Sequence, residues 1–168
     1  MGRPASSRIS TVPVCLAVLA LALALPVTAR GPLSAGDSAP PFTLRDMSGR
    51  AISLDSFRGR PVVLHFWATW CPHCVKEMPL LEEMARAHGE RSAILCVNLA
   101  EKKKKVAAYL QESHLTLPVL LDARGNVAQA YGVIALPTTI VVGADGRIRG
   151  EIAMGSLTRE GLEEWLKE

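Results

Sequence analysis

The sequence predicts an α/β domain, and its central feature is a buried strand that leads directly into a helix. Residues 61–69 form an apolar run with β-branched side chains, and its length fits a strand that is buried on both faces of a sheet. Residues 75–88 follow with apolar side chains at helical spacing, which predicts an amphipathic helix. Strand-like and helix-like segments then alternate up to residue 142, and a further strand-like and a helix-like segment follow, an order that is typical of α/β folds.

The segments on either side of this unit can be assigned in chain order. Before it, residues 42–44 and 51–54 flank a turn at Ser48 and Gly49, which predicts an N-terminal β-hairpin. After it, apolar and amphipathic segments predict four further strands and three further helices. The strands are expected at 93–97, 117–122, 140–142 and 148–153, and the helices at 102–113, at 126–131 and after the N-cap residue Thr158.

Two cysteines, Cys71 and Cys74, stand at the junction between the buried strand and the first helix. Pro72 suits the first helical position because it has no N–H group to leave unpaired. The free N–H groups and the dipole of a helix N-terminus stabilise a thiolate at Cys71, whereas Cys74 is expected to be more buried. The pair can therefore perform thiol–disulfide exchange, in which Cys71 attacks and Cys74 resolves the mixed disulfide. A structural zinc site is the alternative, but no second ligand pair of suitable spacing is present in the sequence.

Residues 1–29 predict a secretory signal peptide that is cleaved after Ala29. A basic start without acids precedes the run 12–27, which is uncharged and apolar apart from two prolines. An uncleaved membrane anchor at 12–27 is the alternative, although the run is shorter than the roughly 20 residues that a spanning helix needs. We expect residues 30–39 to be a flexible lead-in and residues 40–168 to form one domain that is exported to the periplasm or another extracytoplasmic space.

Removal of the signal peptide leaves a chain with almost no net charge. The segment contains Arg3 and Arg8 but no acid, so 17 of the 19 basic residues remain beside 16 acidic ones. This balance argues against a nucleic-acid-binding role based on overall charge. Of the three remaining cysteines, Cys96 lies in a predicted central strand and is expected to be a buried small apolar residue. Because disulfides persist in exported proteins, a redox partner must maintain the Cys71–Cys74 pair.

The sequence around the cysteine pair resembles one branch of a known family. The stretch FWATWC at 66–71 is similar to that of the extracytoplasmic TlpA/ResA-like thiol–disulfide oxidoreductases, and the similarity extends from about Gly36 to the C-terminus. The resemblance implies a thioredoxin fold with an N-terminal β-hairpin and a central strand–helix insertion. It also implies an enzyme without a cofactor or metal that exchanges electrons with protein disulfides or dithiols.

The resemblance implies further site residues beside the two cysteines. Pro137 is expected to follow a cis peptide bond and to face the cysteine pair. Trp70, Leu136 and Pro137 are then the expected substrate-binding residues. Glu77 matches the acidic residue that this branch places near the active site, where it accepts or relays a proton as the resolving thiol ionises. The alternative for Glu77 is a surface glutamate without a catalytic role.

Two histidines leave questions open. His65 stands where thioredoxin has a buried acid and many TlpA/ResA-like proteins have an amide, so it is either a proton shuttle for Cys74 or a neutral core histidine. Pro72 and His73 are expected to tune the pKa of Cys71, since Cys-Pro-His-Cys is also the arrangement of DsbA. The overall resemblance favours a reductase, whereas this dipeptide favours an oxidase or isomerase of the DsbA kind. We expect the reductase direction.

Other functional classes fit the sequence less well. A peroxiredoxin needs a threonine three residues before its reactive cysteine, where this chain has Ala68. A copper metallochaperone would bind Cu(I) through the two cysteines, but such proteins of this fold usually use a C-x-x-x-C pair and a distal histidine. The four lysines at 102–105 are interpreted as a solvated helix start rather than a docking surface. The expected partners are exported protein substrates, with apocytochrome c as the family-based example, and a membrane electron-transfer protein of the DsbD/CcdA kind.

Overall fold

The computed structural model describes residues 2, 33–153 and 157–167. In this part of the chain, seven strands form one mixed sheet. The strands are β1 (Thr43–Asp46), β2 (Ala51–Ser53), β3 (Val62–Trp67), β4 (Ala93–Leu99), β5 (Val119–Asp122), β6 (Thr138–Val142) and β7 (Ile148–Ala153). The helices are α1 (Pro72–His88), α2 (Lys103–Ser113), α3 (Asn126–Ala130) and α4 (Arg159–Leu166), with short 3-10 turns at Leu54–Phe57 and Gly89–Arg91.

The strand order is β2-β1-β5-β4-β3-β6-β7. The strands β3, β4 and β5 run parallel to each other, whereas β6 is antiparallel to β3 and β7 is antiparallel to β6. The predicted N-terminal hairpin is present as β1 and β2, and it joins the sheet through β5. The predicted central strand–helix unit is also present, as β4 and α2. The α/β architecture with these two additions is therefore confirmed.

The central strand β3 is buried along its whole length, as the sequence predicts. Its side chains point alternately to the two faces of the sheet. Val62, Leu64 and Phe66 pack into one apolar cluster, to which α3 contributes. Trp67 packs into the other, to which α1, α2 and α4 contribute, and its ring lies 5.3 Å from that of Tyr109 on α2. Both faces of β3 are therefore covered by packed side chains. This packing fixes the C-terminal end of β3, which leads into the cysteine pair.

The helix α1 carries the cysteine pair, and its local sequence explains both of its ends. Cys71 is the N-cap and Pro72 follows at the first helical position, while the helix ends at Gly89, whose φ of 54° favours glycine. The helix packs on the sheet through an apolar stripe of Met78, Leu81 and Met84, with Val75 and Ala85 half-buried. The pattern of apolar residues in the sequence does not predict that Glu82, on the same helix, is buried.

Residues 33–39 of the expected lead-in lie against the β6–β7 turn. The N–H of Gly36 donates to the carbonyl of Ile148, and the N–H of Ala39 donates to the carbonyl of Gly146. The signal peptide or anchor expected at 1–29 lies outside the described residues, apart from Gly2. Within the described residues, none of the helices is both long enough and apolar enough to cross a membrane.

Candidate active site

The two cysteines form a disulfide at the point where β3 gives way to α1. Their Cα atoms are 5.3 Å apart, and the N–H of Cys74 donates to Sγ of Cys71 at 3.2 Å. The Cys71 sulfur thus accepts a hydrogen bond from the first turn of the helix, where the free N–H groups and the dipole favour negative charge. On reduction, the same position stabilises the Cys71 thiolate, as the sequence predicts for an attacking cysteine.

Exposure differs sharply along this loop. Trp70 is 64% exposed, whereas Cys71 is only 4% exposed and Cys74 is completely buried. The indole of Trp70 is thus open to solvent, whereas Cys71 in its disulfide form is covered by the helix and the neighbouring apolar cluster. Cys71 remains the more exposed of the two cysteines, which agrees with its expected role as the first to react.

The loop before β6 approaches the cysteine pair from the neighbouring strand. The Leu136–Pro137 bond is cis, as expected, and Thr138 pairs with Phe66 near the end of β3. Leu136 packs against the apolar cluster that contains both cysteines. The structure therefore places the loop of Leu136 and Pro137 and the loop of Trp70 and Cys71 at the same end of the sheet.

One exposed apolar residue near this site was missed by the sequence analysis. Ile134, in the turn before Leu136, is 99% exposed. Ile134 and Trp70 are the two large apolar side chains that are exposed in the described part of the chain, and both belong to loops at the active-site end of the sheet. The available signal was an isoleucine three positions before Pro137, in the segment that precedes the strand.

His65 lies inside the protein beneath this end of the sheet. It is completely buried on β3, and its Nδ1 atom is 2.9 Å from the hydroxyl oxygen of Thr139 on β6. Burial lowers the pKa of His65 to about 3, so the ring is neutral at physiological pH. Its Nε2 atom has no hydrogen-bond partner among the described residues. Leaving Nε2 unpaired is least unfavourable when the neutral ring carries its proton on Nδ1, because Nε2 is then an acceptor and not a donor.

Glu77, on the helix that carries the cysteines, lies close to His65. It lies one turn after Cys74 on α1, its side chain is largely buried, and its Oε2 atom is 3.9 Å from Nδ1 of His65. This distance is too long for a hydrogen bond, but it places a carboxyl group and an imidazole on the same side of the sheet as Cys74. His73 and Pro72, by contrast, are exposed on the first turn of α1.

A second carboxylate, Glu101, contacts the loop that leads to Cys71. One carboxylate oxygen accepts from the N–H of Thr69 and from Asn98, and the other accepts from the hydroxyl of Thr69 and from Lys105. Burial alone would raise the pKa of Glu101, but the hydrogen bonds from Lys105, Asn98 and Thr69 outweigh it and lower the pKa to about 2. The sequence alone did not mark Glu101 as a site residue, because an acid before a run of lysines is typical of a solvated helix start.

In the described ranges, no three His, Cys, Asp or Glu side chains converge in a way that could bind a metal ion. All four lysines that follow β4 are exposed, and Lys105 pairs with Glu101 at 2.7 Å. The site thus consists of a disulfide, a buried imidazole, two carboxylates and two exposed apolar side chains.

Comparison with known proteins gives a consistent family assignment. The chain matches the AhpC/TSA family over residues 35–151. It is 36% identical over 141 residues to the thiol-disulfide oxidoreductase ResA of Geobacillus thermodenitrificans, a match that covers 83% of this chain and 80% of the relative.

Solved structures support the same assignment. A putative thiol:disulfide interchange protein DsbE from Chlorobium tepidum superposes with a TM-score of 0.74, is 27% identical, and is matched over 80% of this chain and 96% of its own. A secreted disulfide oxidoreductase from Mycobacterium tuberculosis, described as homologous to DsbE, has a TM-score of 0.66 at 25% identity over 75% of this chain and 94% of its own. The expected thioredoxin-like fold is therefore confirmed. The chain belongs to the AhpC/TSA family and is a ResA-like thiol–disulfide oxidoreductase with Cys71 and Cys74 as its redox pair.

Proposed function

We propose that the protein is an exported reductase of protein disulfides. The observation that carries the direction is the exposure of His73. An imidazole between the two cysteines makes a strong oxidant only if its charge stabilises the thiolate, and water screens the charge of an exposed side chain. The dithiol is then stabilised less than in an enzyme of the DsbA kind, so it is the better electron donor.

The proposed reaction follows from the positions of the two sulfurs. The Cys71 thiolate attacks one sulfur of a substrate disulfide, which forms a mixed disulfide and releases the other substrate sulfur as a thiolate. Cys74 then loses its proton and attacks Sγ of Cys71, which closes the Cys71–Cys74 disulfide and releases the second substrate sulfur. Two electrons pass from the enzyme to the substrate, and an external dithiol must reduce the enzyme again.

In this proposal, the group that accepts the proton of the Cys74 thiol is Glu77 and not His65. A buried imidazole with a pKa of about 3 is a poor acceptor for a thiol proton. The side chain of Glu77 is 11% exposed whereas that of His65 is completely buried, so the carboxyl group can exchange a proton with solvent. In this proposal, His65 stays neutral and acts as a positioning residue, with Thr139 fixing its ring.

Substrate binding is proposed at the two loops on either side of the disulfide. Trp70, Leu136 and Pro137 line this region, and the backbone beside Pro137 can pair with an extended peptide. The exposed Ile134 adds apolar surface on the same side. A polypeptide with apolar residues beside its cysteine would therefore be a better substrate than a small hydrophilic disulfide.

Replacing Ile134 with serine is expected to impair the reduction of protein disulfides selectively. The value of kcat/KM for an unfolded protein disulfide should fall about fivefold, because roughly 1 kcal/mol of apolar burial is lost in the complex. Turnover of oxidised glutathione and the Tm should stay unchanged, since Ile134 is 99% exposed in the free protein. The variant Ile134→Leu is the matched control. Equal losses with both disulfides would contradict a role in substrate recognition.

Localisation and partners are part of the proposal. The predicted signal peptide and the secreted relative from Mycobacterium tuberculosis support export. Exported dithiols are oxidised unless they are supplied with electrons, so we propose that a membrane electron-transfer protein of the DsbD/CcdA kind reduces the disulfide again. Apocytochrome c is the substrate that the family resemblance suggests.

The reduction potential of the Cys71–Cys74 pair tests the proposed direction. It can be measured by equilibration with glutathione buffers, with the two forms separated after alkylation. We expect a value nearer to the roughly −270 mV of thioredoxin than to the roughly −120 mV of DsbA. The variant His73→Ala should change the value little if solvent screens the imidazole. A potential near that of DsbA, restored towards thioredoxin by His73→Ala, would identify an oxidase instead.

A further inference from the structure

We infer that Glu101 is a positioning residue that holds the attacking cysteine at the helix N-terminus when the enzyme is reduced. The inference rests on the attacking role proposed for Cys71. Glu101 follows β4, far from α1 in sequence, and its side chain is only 5% exposed. A buried carboxylate needs several donors to offset its desolvation, and here two of the four come from one residue of the active-site loop, Thr69.

The position of Thr69 explains why this contact matters. The last paired residues of β3 and β4 are Trp67 and Asn98, so the N–H of Thr69 lies beyond the ladder of the sheet. Glu101 supplies the acceptor that the sheet no longer provides, at 2.7 Å. The N–H of Cys71 then donates to the carbonyl of Ala68 in a tight turn. The segment between Trp67 and Cys71 is thus held in place by the side chain of Glu101, which belongs to a different part of the chain.

Glu101 is itself held from two directions. Asn98 at the end of β4 donates to the oxygen that binds the Thr69 N–H, and Lys105 in the first turn of α2 contacts the other oxygen. The strand, the helix and the loop therefore meet at one carboxylate. This arrangement also gives Lys105 a structural function that the other three lysines of the cluster do not share.

The contact should matter most in the dithiol state. In the oxidised protein, the covalent bond to Cys74 holds Cys71 at the start of α1. Reduction removes that bond, and the orientation of Cys71 then depends on the loop that precedes it. A thiolate that drifts away from the helix N-terminus loses the stabilisation from the N–H groups and the dipole. Glu101 therefore acts on the reactivity of Cys71 through Thr69, without contacting substrate.

The variant Glu101→Asp tests this inference because it keeps the charge and shortens the side chain by one methylene. The reduced protein is treated with iodoacetamide at pH 7; Cys74 and Cys96 are completely buried, and Cys71, which is 4% exposed in the disulfide form, is the most exposed of the three cysteines. We expect the alkylation rate constant to fall about threefold, the size of the lost interaction with the helix terminus. The value of kcat/KM for a protein disulfide should fall about tenfold, since exchange also needs an oriented sulfur. The equilibrium in glutathione buffers should shift towards the Cys71–Cys74 disulfide, because the thiolate of the reduced form is stabilised less.

A second pair of variants guards against misfolding of Glu101→Asp. Thr69→Val removes only the hydroxyl that donates to Glu101, whereas Thr69→Ser keeps it. The valine variant should show smaller losses in the same direction, and the serine variant should restore the rate constants of the natural protein. Equal rate constants for the valine and serine variants would overturn the role of this hydrogen bond.

The chain offers a matched control in Glu82. This carboxylate is 7% exposed and accepts from both the N–H and the hydroxyl of Thr116, but it does not contact the active-site loop. Glu82→Asp should lower the Tm while leaving the alkylation rate constant of Cys71 unchanged. The inference is overturned if Glu101→Asp behaves like Glu82→Asp. A natural protein that alkylates rapidly but exchanges no disulfide would instead overturn the proposed function.

Discussion

Replacing Cys71 with serine is expected to abolish disulfide exchange. The hydroxyl of serine does not ionise near neutral pH, so no nucleophile remains at the start of α1. The rate of reduction of a protein disulfide should fall on the order of a thousandfold or more. The fold should persist, because the site needs only a small side chain at the helix N-cap, and serine is a favoured N-cap residue. Circular dichroism and the Tm of the reduced proteins would verify this.

Replacing Cys74 with serine should have a different outcome. Cys71 can still attack, but no second thiol releases the substrate, so the mixed disulfide accumulates. We expect a covalent complex on non-reducing gels that disappears on treatment with dithiothreitol. This complex would also identify natural substrates in extracts of exported proteins. A Cys71→Ser protein that still formed such complexes would contradict the assigned order of attack.

Cys96 provides the control for both variants. It is buried on β4, and burial raises the pKa of its thiol, so it is not expected to exchange disulfides. Cys96→Ala should therefore retain the exchange rate of the natural protein. If Cys96→Ala lost activity in proportion to Cys71→Ser, the assignment of the redox pair to Cys71 and Cys74 would fail.

The sequence was sufficient for the elements that depend on local patterns. The apolar run of β3 is buried on both faces, Pro72 follows the N-cap of α1, and Thr158 caps α4 through a hydrogen bond to the N–H of Gly161. Each of these features follows from side chains within one or two turns of the chain. The cis bond before Pro137 came from the family resemblance, since the residues alone show only an ordinary Leu–Pro pair.

The features that the sequence could not predict depend on contacts between distant segments. Glu101 contacts Thr69 across 32 residues, and Glu82 contacts Thr116 across 34. Glu101 lies in the loop between β4 and α2 and Glu82 lies within α1, and the local sequence of neither predicts a buried carboxylate. The exposure of Ile134 and the cover over Cys71 likewise result from how loops of different strands meet. Side chains that are buried and charged, or exposed and apolar, therefore become recognisable only after the chain has folded.

The choice that the sequence left open for His65 has a measurable consequence for stability. Burial lowers its pKa from 6.5 to about 3, so the unfolded chain binds a proton that the folded protein excludes. The unfolded state therefore binds more protons than the folded state between pH 6.5 and 3, and the free energy of unfolding falls as the pH falls through this window. Between pH 6.5 and 4.5, the loss due to His65 should be about 2 kcal/mol, at up to about 1.4 kcal/mol per pH unit.

The comparison with His65→Asn isolates this contribution. Asparagine keeps a polar side chain near Thr139 but does not titrate, so this variant should lose about 2 kcal/mol less than the natural protein over the same pH interval. Urea unfolding of the oxidised proteins at several pH values gives both curves. The acidic residues are common to both proteins, so their contributions largely cancel in the difference. Parallel curves would mean that His65 is protonated in the folded state. Its proton would then be shared with Glu77, 3.9 Å away, and the imidazole would belong to the proton relay after all.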